Sequence, residues 1–151
     1  MNFERITLAP NRIFGYRGLI PLAELSEFFR ITFDAVAREM EDHGVQIMGP
    51  PTAVYHAMAG DTVEVTAGFP VAALATPRAA SVIDVLPGGP AVVAVHTGGY
   101  DTIRDTHRLL SAWVDKQHLA PTALIWEEYV VGPAENPDPA AWQTRLVYPL
   151  S

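Results

Sequence analysis

The sequence predicts an α+β fold made of a duplicated β-β-α-β-β module. Three observations predict it: two helical stripes of apolar residues, a pair of short β-branched and aromatic runs on either side of each stripe, and residue strings that recur in both halves. At 151 residues, 49% of them apolar, the chain can bury one core of ordinary size. A single domain over 1–151 is expected, with internal repeats at approximately 3–72 and 80–151.

The opening segment reads as two short strands, Glu4 to Ala9 and Arg12 to Arg17, around the turn residues Pro10 and Asn11. A helix follows from Leu22, with Pro21 at its first turn. Its stripe runs through Leu22, Leu25, Phe28, Phe29, Phe33, Val36, Ala37 and Met40, and Gly44 stands where a left-handed cap would end it. T-A-V-Y-H-A-M and T-V-E-V-T-A-G-F-P-V, joined by Gly60 and Asp61, form a hairpin. The segment Ala73 to Ala80, with Pro77 and Arg78, has turn chemistry and serves as a connector.

The order then repeats. S-V-I-D-V-L-P-G-G-P-A-V-V-A-V-H-T-G-G gives two strands, and a second helix carries Ile103, Leu109, Leu110, Trp113 and Val114, with Asp101 as its expected cap. I-W-E-E-Y-V-V, a Pro-rich loop and W-Q-T-R-L-V-Y-P-L complete the half. Leu8-Ala9-Pro10 matches Val85-Leu86-Pro87, Val54-Tyr55 matches Glu128-Tyr129, and Phe69-Pro70-Val71 matches Tyr148-Pro149-Leu150. Two consecutive modules, each helix covering its own antiparallel sheet, would meet along a pseudo-two-fold seam that makes a central cleft.

A formal charge of −7 argues against nucleic acid as a direct partner. The absence of cysteine removes disulfides, thiolate metal sites and thiol nucleophiles. No signal-peptide pattern and no apolar run of membrane-spanning length is present, so a cytoplasmic protein without membrane attachment is expected. His43, His56, His96, His107 and His118 show no pair at the close spacing of a zinc site, and neither a metal nor a cofactor is expected. Walker, G-x-G-x-x-G and G-x-S-x-G motifs are absent.

One stretch breaks its own pattern. A-L-I-W-E-E-Y-V-V, Ala123 to Val131, is a buried-strand sequence with Glu127 and Glu128 at its centre. Alternation puts Glu127 on the face of Ile125 and Tyr129, and Glu128 on the face of Trp126 and Val130. Glu128 fits a solvated position. Glu127 gains a second reading from Tyr129, Tyr148, Tyr55 and Phe69, because aromatic rings around one carboxylate attract cations.

Five strings, G-P-P-T-A-V-Y-H, V-E-V-T-A-G-F-P-V, V-H-T-G-G-Y-D, I-W-E-E-Y and V-Y-P-L, resemble the GyrI-like small-molecule-binding domain. That domain also forms the effector-binding part of multidrug-sensing regulators of the BmrR and AraC types. The resemblance covers nearly the whole chain and implies SHS2-like β-β-α-β-β modules around an aromatic-walled cleft. It also implies a central glutamate that meets lipophilic cations, two residues before a tyrosine, which is Glu127 before Tyr129 here. One departure falls at Thr97 to Asp101, where the usual V-G-P-Y-D reads T-G-G-Y-D; the extra glycine would loosen the loop presenting Tyr100.

The expected ligand-binding residues are thus Glu127, Tyr129, Tyr55, Phe69, Tyr100, Trp113 and Tyr148. Trp113 has helical spacing that also suits core packing, Tyr100 also suits a solvent-facing loop, and Trp142 reads as a lid over the sheet edge. The leading expectation is a stand-alone protein that captures small aromatic or cationic molecules. A second is a hydrolase of strained, cyclopropane-bearing electrophiles, as the resemblance implies for some stand-alone relatives, with Glu127 and Tyr129 as catalytic acid and base. A third is an interaction module with a separate protein partner, as in gyrase-interacting relatives; the fold leaves no room in the chain for a helix-turn-helix.

Overall fold

A computed structural model of the chain describes residues 2–72, 75–76 and 80–151. Part of the expected connector, including Pro77 and Arg78, lies outside the described residues. The elements are β1 (Phe3–Leu8), β2 (Asn11–Pro21), a 3-10 turn (Leu22–Glu24), α1 (Leu25–Asp42), β3 (Thr52–Ala59), β4 (Thr62–Pro70), β5 (Val82–Leu86), β6 (Gly89–Thr97), a 3-10 turn (Tyr100–Thr102), α2 (Ile103–Lys116), β7 (Ile125–Val131), a 3-10 turn (Pro139–Ala141) and β8 (Gln143–Pro149). The class is α+β with antiparallel pairing, as the sequence predicts. Among the described residues no helix is long and apolar enough to cross a membrane.

The chain divides into two compact units, and neither is a consecutive half. A contiguous unit comprises Ala9–Gly88, and a split unit comprises Met1–Leu8 with Gly89–Ser151. The contiguous unit orders its strands β3-β4-β2-β5 and the split unit β1-β6-β8-β7. The compact units do not coincide with the expected modules at 3–72 and 80–151: β1 pairs with β6, Leu8 opposite Gly89, and β5 pairs with β2, Leu86 opposite Asn11. Each outer strand comes from the other sequence half. Adjacent antiparallel edges of one sheet need only hydrogen-bonding register, not sequence neighbourhood, so repeat spacing could not reveal the exchange.

The two units repeat one another in detail. Thr32, Val36 and Met40 are the buried positions of α1, and Thr106, Leu110 and Val114 those of α2, both at intervals of four residues. In the contiguous unit Phe14, Val36, Met40, Phe69 and Val71 make the core; in the split unit Val92, Ala94, Leu110, Val114, Leu146 and Tyr148 do. Register slips after Tyr55 in β3 and after Tyr129 in β7, so both strands carry an irregularity at the same repeat position.

Helix ends differ from expectation at the N-termini. Pro21 closes β2 instead of entering α1, and the first turn, Leu22–Glu24, is 3-10. Asp101 caps nothing; it lies within the Tyr100–Thr102 turn, and α2 has no side-chain cap. Leu22 and Leu109, both expected on apolar stripes, are exposed. Gly44 does end α1: it adopts φ +67, its N–H donates to the Glu41 carbonyl, and that of Val45 reaches back to Met40. α2 closes with the same bonds, His118 to Asp115 and Leu119 to Val114, but with His118 in the left-handed region at φ 57.

Candidate functional site

The site is built on the β7–β8–α2 layer of the split unit. Ile125, Trp126, Tyr129, Val130 and Val131 give β7 its strand propensity, and pairing with β8 places Glu127 opposite Leu146. α2 is held by Thr106, Leu110 and Val114, and the stripe position between Ile103 and Leu110 is His107. The helix therefore delivers an imidazole where its apolar pattern calls for a hydrophobe.

Glu127 is 5% exposed. Its Oε1 accepts from the Tyr129 hydroxyl at 2.6 Å, and its Oε2 accepts from His107 Nε2 at 2.6 Å. The other ring nitrogen of His107, Nδ1, meets the Tyr148 hydroxyl at 2.7 Å, and the two rings stack with centroids 5.8 Å apart. Four side chains thus form one hydrogen-bonded series, Tyr129–Glu127–His107–Tyr148. A buried carboxylate needs such partners, because desolvation of an unpaired one costs several kcal/mol, on the order of the effective ionic penalty in real proteins.

Burial first, and the Glu127 charge second, push the Tyr148 hydroxyl up to about 12. It stays a neutral phenol at physiological pH. Tyr100 is also raised, by burial and then by the charges of Glu135 and Glu127. Tyr100 meets Tyr129 edge-on at 5.6 Å and Trp142 at 4.9 Å, so three rings lead outward from the carboxylate. Tyr100, the middle ring of that row, is 38% exposed.

The loop that carries Tyr100 is not loosened by its second glycine. Gly98 takes φ +122, which favours glycine, but Gly99 sits at φ −68, close to the value a proline ring imposes. Its carbonyl accepts from His96 Nε2 at 2.9 Å and from the Thr102 hydroxyl at 3.2 Å, and Gly98 donates to the Trp142 carbonyl. Buried His96 is itself fixed at Nδ1 by Thr106 at 2.6 Å. These bonds pin the loop in place of ring stiffness.

Glu128 is not simply solvated. On the opposite face of β7 it accepts from Arg145 at 2.9 Å and from the Trp126 indole at 3.0 Å, a local clamp on the sheet. Trp113 serves the core: it packs on the Leu110 and Val114 cluster and its ring meets Phe3 at 5.6 Å. Tyr55 and Phe69 belong to the contiguous unit, Tyr55 edge-on to Phe29 and Phe69 edge-on to Phe33. The structure therefore gathers Glu127, Tyr129, Tyr148 and Tyr100 from the expected set. His107 and Trp142 join them without having been foreseen as site residues. His107 had a signal, since it is the histidine of an apolar stripe whose repeat counterpart is Phe33; Trp142 had none beyond its aromatic character. Among the described residues no group of three or more acidic or histidine side chains could hold a metal ion.

No protein-family model matches the chain. No curated protein sequence matches it either. Solved structures do. The C-terminal domain of EcmrR superposes with a TM-score of 0.88 at 19% identity, covering 99% of this chain and 97% of that one. The fold is that of a GyrI-like effector-binding domain. In the EcmrR–DNA complex the same likeness has a TM-score of 0.87 at 19% identity and covers 99% of this chain, which spans only 57% of that longer one. SAV2435, solved bound to tetraphenylphosphonium, has a TM-score of 0.73 at 10% identity over 100% of this chain and 94% of its own. A protein described as a hydrolase encoded by lin2189 from Listeria innocua follows at 0.69 and 12% identity, over 99% and 92%. At these identities the GyrI-like likeness is one of fold.

Proposed function

We propose that the chain binds lipophilic aromatic cations at the site organised by Glu127. The observation that carries this is a carboxylate buried to 5% exposure on a face lined by Tyr129, Tyr148 and Tyr100. The shared fold with SAV2435, which was solved with tetraphenylphosphonium, supports the choice of ligand class. Apolar surface supplies most of the affinity at roughly 25 cal/mol per Å² buried. The carboxylate and ring faces add selectivity for positive charge, about 2 kcal/mol in a desolvated site.

The test is a titration of intrinsic fluorescence with tetraphenylphosphonium and with neutral triphenylphosphine oxide, in the wild type and Glu127→Gln. The expected result is saturable binding that favours the cation and loses that preference in the variant. Equal affinity for both compounds, or a preference that survives Glu127→Gln, would refute the assignment.

A second reading is hydrolysis of a strained electrophile. It is favoured by the series Tyr129–Glu127–His107, three proton-carrying groups joined at 2.6 Å, and by the fold shared with the Listeria innocua hydrolase. Glu127 would take a proton from water as it attacks, and the Tyr129 hydroxyl would protonate the departing carbon or oxygen. Mass spectrometry of recovered compound separates the readings, since hydrolysis adds the mass of one water and capture adds nothing.

A further inference from the structure

We propose that His107 is a specificity-determining residue that competes with the ligand's charge, so that binding a lipophilic cation expels one proton from the site. This inference rests on the reading of Glu127 as the cation-selecting group.

The geometry carries it. The two oxygens of Glu127 face Tyr129 and His107, and only His107 can bring a full positive charge. His107 Nε2 donates to Glu127 at 2.6 Å in either charge state of the ring. Nδ1 then accepts from Tyr148 when the imidazole is neutral, or donates to it when protonated, at the observed 2.7 Å. The Tyr148 hydroxyl, which can rotate between the two roles, leaves both states hydrogen-bonded. The switch therefore needs no rearrangement.

The groups facing His107 are few. β7 presents Glu127 and, beyond it, Tyr129, and β8 presents Tyr148. On the α2 side, Arg108 is turned to Asp105 at 3.4 Å and both are exposed. His96 of β6 is engaged with Thr106 and the Gly99 carbonyl. Glu135 adds a negative charge near Tyr100 at the outer end, and at the buried end the charge is set by Glu127 and His107 together. With His107 protonated the pair is neutral; with His107 neutral it carries one negative charge.

A quaternary phosphonium has no N–H with which to claim a carboxylate oxygen. It reads only the net charge across the ring faces. Its affinity must then follow the fraction of His107 that is unprotonated, and its binding must drive the remaining proton off, by the reciprocity that links any two coupled ligands. Neutral aromatic compounds lack this coupling. Acidic conditions would turn the site from a cation site into one for neutral rings.

The experiment is calorimetric titration with tetraphenylphosphonium in pairs of buffers of different ionisation heat, from about pH 5 to about pH 8.5, the range that spans histidine titration. Wild type, His107→Gln and Glu127→Gln are compared, with triphenylphosphine oxide as the uncharged control. In the acid arm, release approaching one proton per cation is expected, with affinity rising about tenfold per pH unit until it levels. His107→Gln, which keeps a donor toward Glu127 without charge, should lose the pH dependence of cation affinity across this range and release nothing.

Cation binding that depends on Glu127 but releases no proton across the range would overturn the role of His107 and leave the proposed function standing. So would release that persists in His107→Gln. Absence of binding at every pH, or binding indifferent to Glu127→Gln, would overturn the proposed function itself. If His107→Gln fails to fold, His107→Asn takes its place, and a wild-type count of zero overturns the role without any variant.

Discussion

Each compact unit sets a half-buried histidine against a buried carboxylate, but on opposite faces of its sheet. In the split unit His107 meets Glu127 at 2.6 Å on the face beneath α2. In the contiguous unit His56 meets Asp84 at 2.9 Å; Ile83 packs into the α1 core, so its strand neighbour Asp84 points to the other face. The His56–Asp84 pair is closed: Thr66 bonds the same imidazole nitrogen at 3.0 Å, Arg17 approaches Asp84 at 3.6 Å, and Glu64 holds Arg17. The His107–Glu127 pair ends instead in phenol hydroxyls and opens onto the Tyr129, Tyr100 and Trp142 rings. Burial and pairing are common to both, and the proposed cation site rests on the one network that terminates in neutral aromatics.

The positions that make the site are apolar in its repeat. Where the split unit has Glu127, His107 and Tyr148, the contiguous unit has fully buried Ala53 with Phe33 and Phe69, whose rings sit 5.9 Å apart, much as those of His107 and Tyr148 do at 5.8 Å. The duplicated frame tolerates either chemistry. One copy keeps the packing and the other exchanges it for charge.

Transplants between the copies test this. The largest effect is expected from Gly68→Val, which imports the residue at the matching position, Val147. Gly68 pairs with Gly15, and a Cβ there would lie 2.0 Å from the Phe14 carbonyl oxygen, against fixed backbone. A loss of more than about 3 kcal/mol in chemical denaturation is expected, showing that the contiguous unit depends on a close strand approach that the split unit lacks.

Next comes Glu127→Ala, which imports Ala53. It strands His107 and Tyr129 and should cost about 3 kcal/mol, with cation selectivity abolished. Combining it with His107→Phe and Tyr148→Phe should return stability to within about 1 kcal/mol of wild type while binding stays lost, because a removed polar network costs less than a broken one. A triple variant as unstable as the single one would break the equivalence of the two cores.

Asp84→Asn should cost about 2 kcal/mol at neutral pH, as for hydrogen bonds to a charged group. Although burial opposes ionisation, its bonds to His56 and Thr66 and the Arg17 charge hold the Asp84 carboxyl below its ordinary 3.8. A carboxyl lowered in the folded state stabilises at pH above 3.8, and that contribution fades as pH falls through the folded value. Denaturation midpoints of wild type and Asp84→Asn should therefore converge in acid, and a constant gap would show that packing, not charge, is what the residue contributes. The smallest effect is His118→Gly, which gives α2 the glycine that ends α1. Relief of the left-handed backbone should raise stability by about 1 kcal/mol, read as a higher Tm.

The fold class was legible because both helices advertise one apolar face and the strands are bounded by turn residues. The Gly44 cap was readable from a single residue. The exchange of β1 and β5 was not, since strand pairing between distant segments leaves no trace in local pattern. At the site, the face shared by Glu127 and Tyr129 was legible from period-two alternation in β7, while the choice of Glu127 over Glu128 rested on the family resemblance. His107 has no metal-ligand spacing to mark it, and its partners lie far from it in sequence, on β7 and β8. Asp101 does not cap α2 because the chain enters that helix through the Tyr100–Thr102 3-10 turn.

The exchanged strand also orders events during synthesis. β1 precedes the contiguous unit in the chain, yet β6, the strand it pairs with among the described residues, is made after the whole of Ala9–Gly88 has been completed. At about 5–20 residues per second that interval is on the order of ten seconds, during which the contiguous unit can fold while β1 waits as an unpaired strand. Its sequence, F-E-R-I-T-L, places exposed Glu4 and Arg5 beside its hydrophobes. Charges at such positions discourage premature edge-to-edge association between nascent chains. The composition of β1 suits its wait for β6.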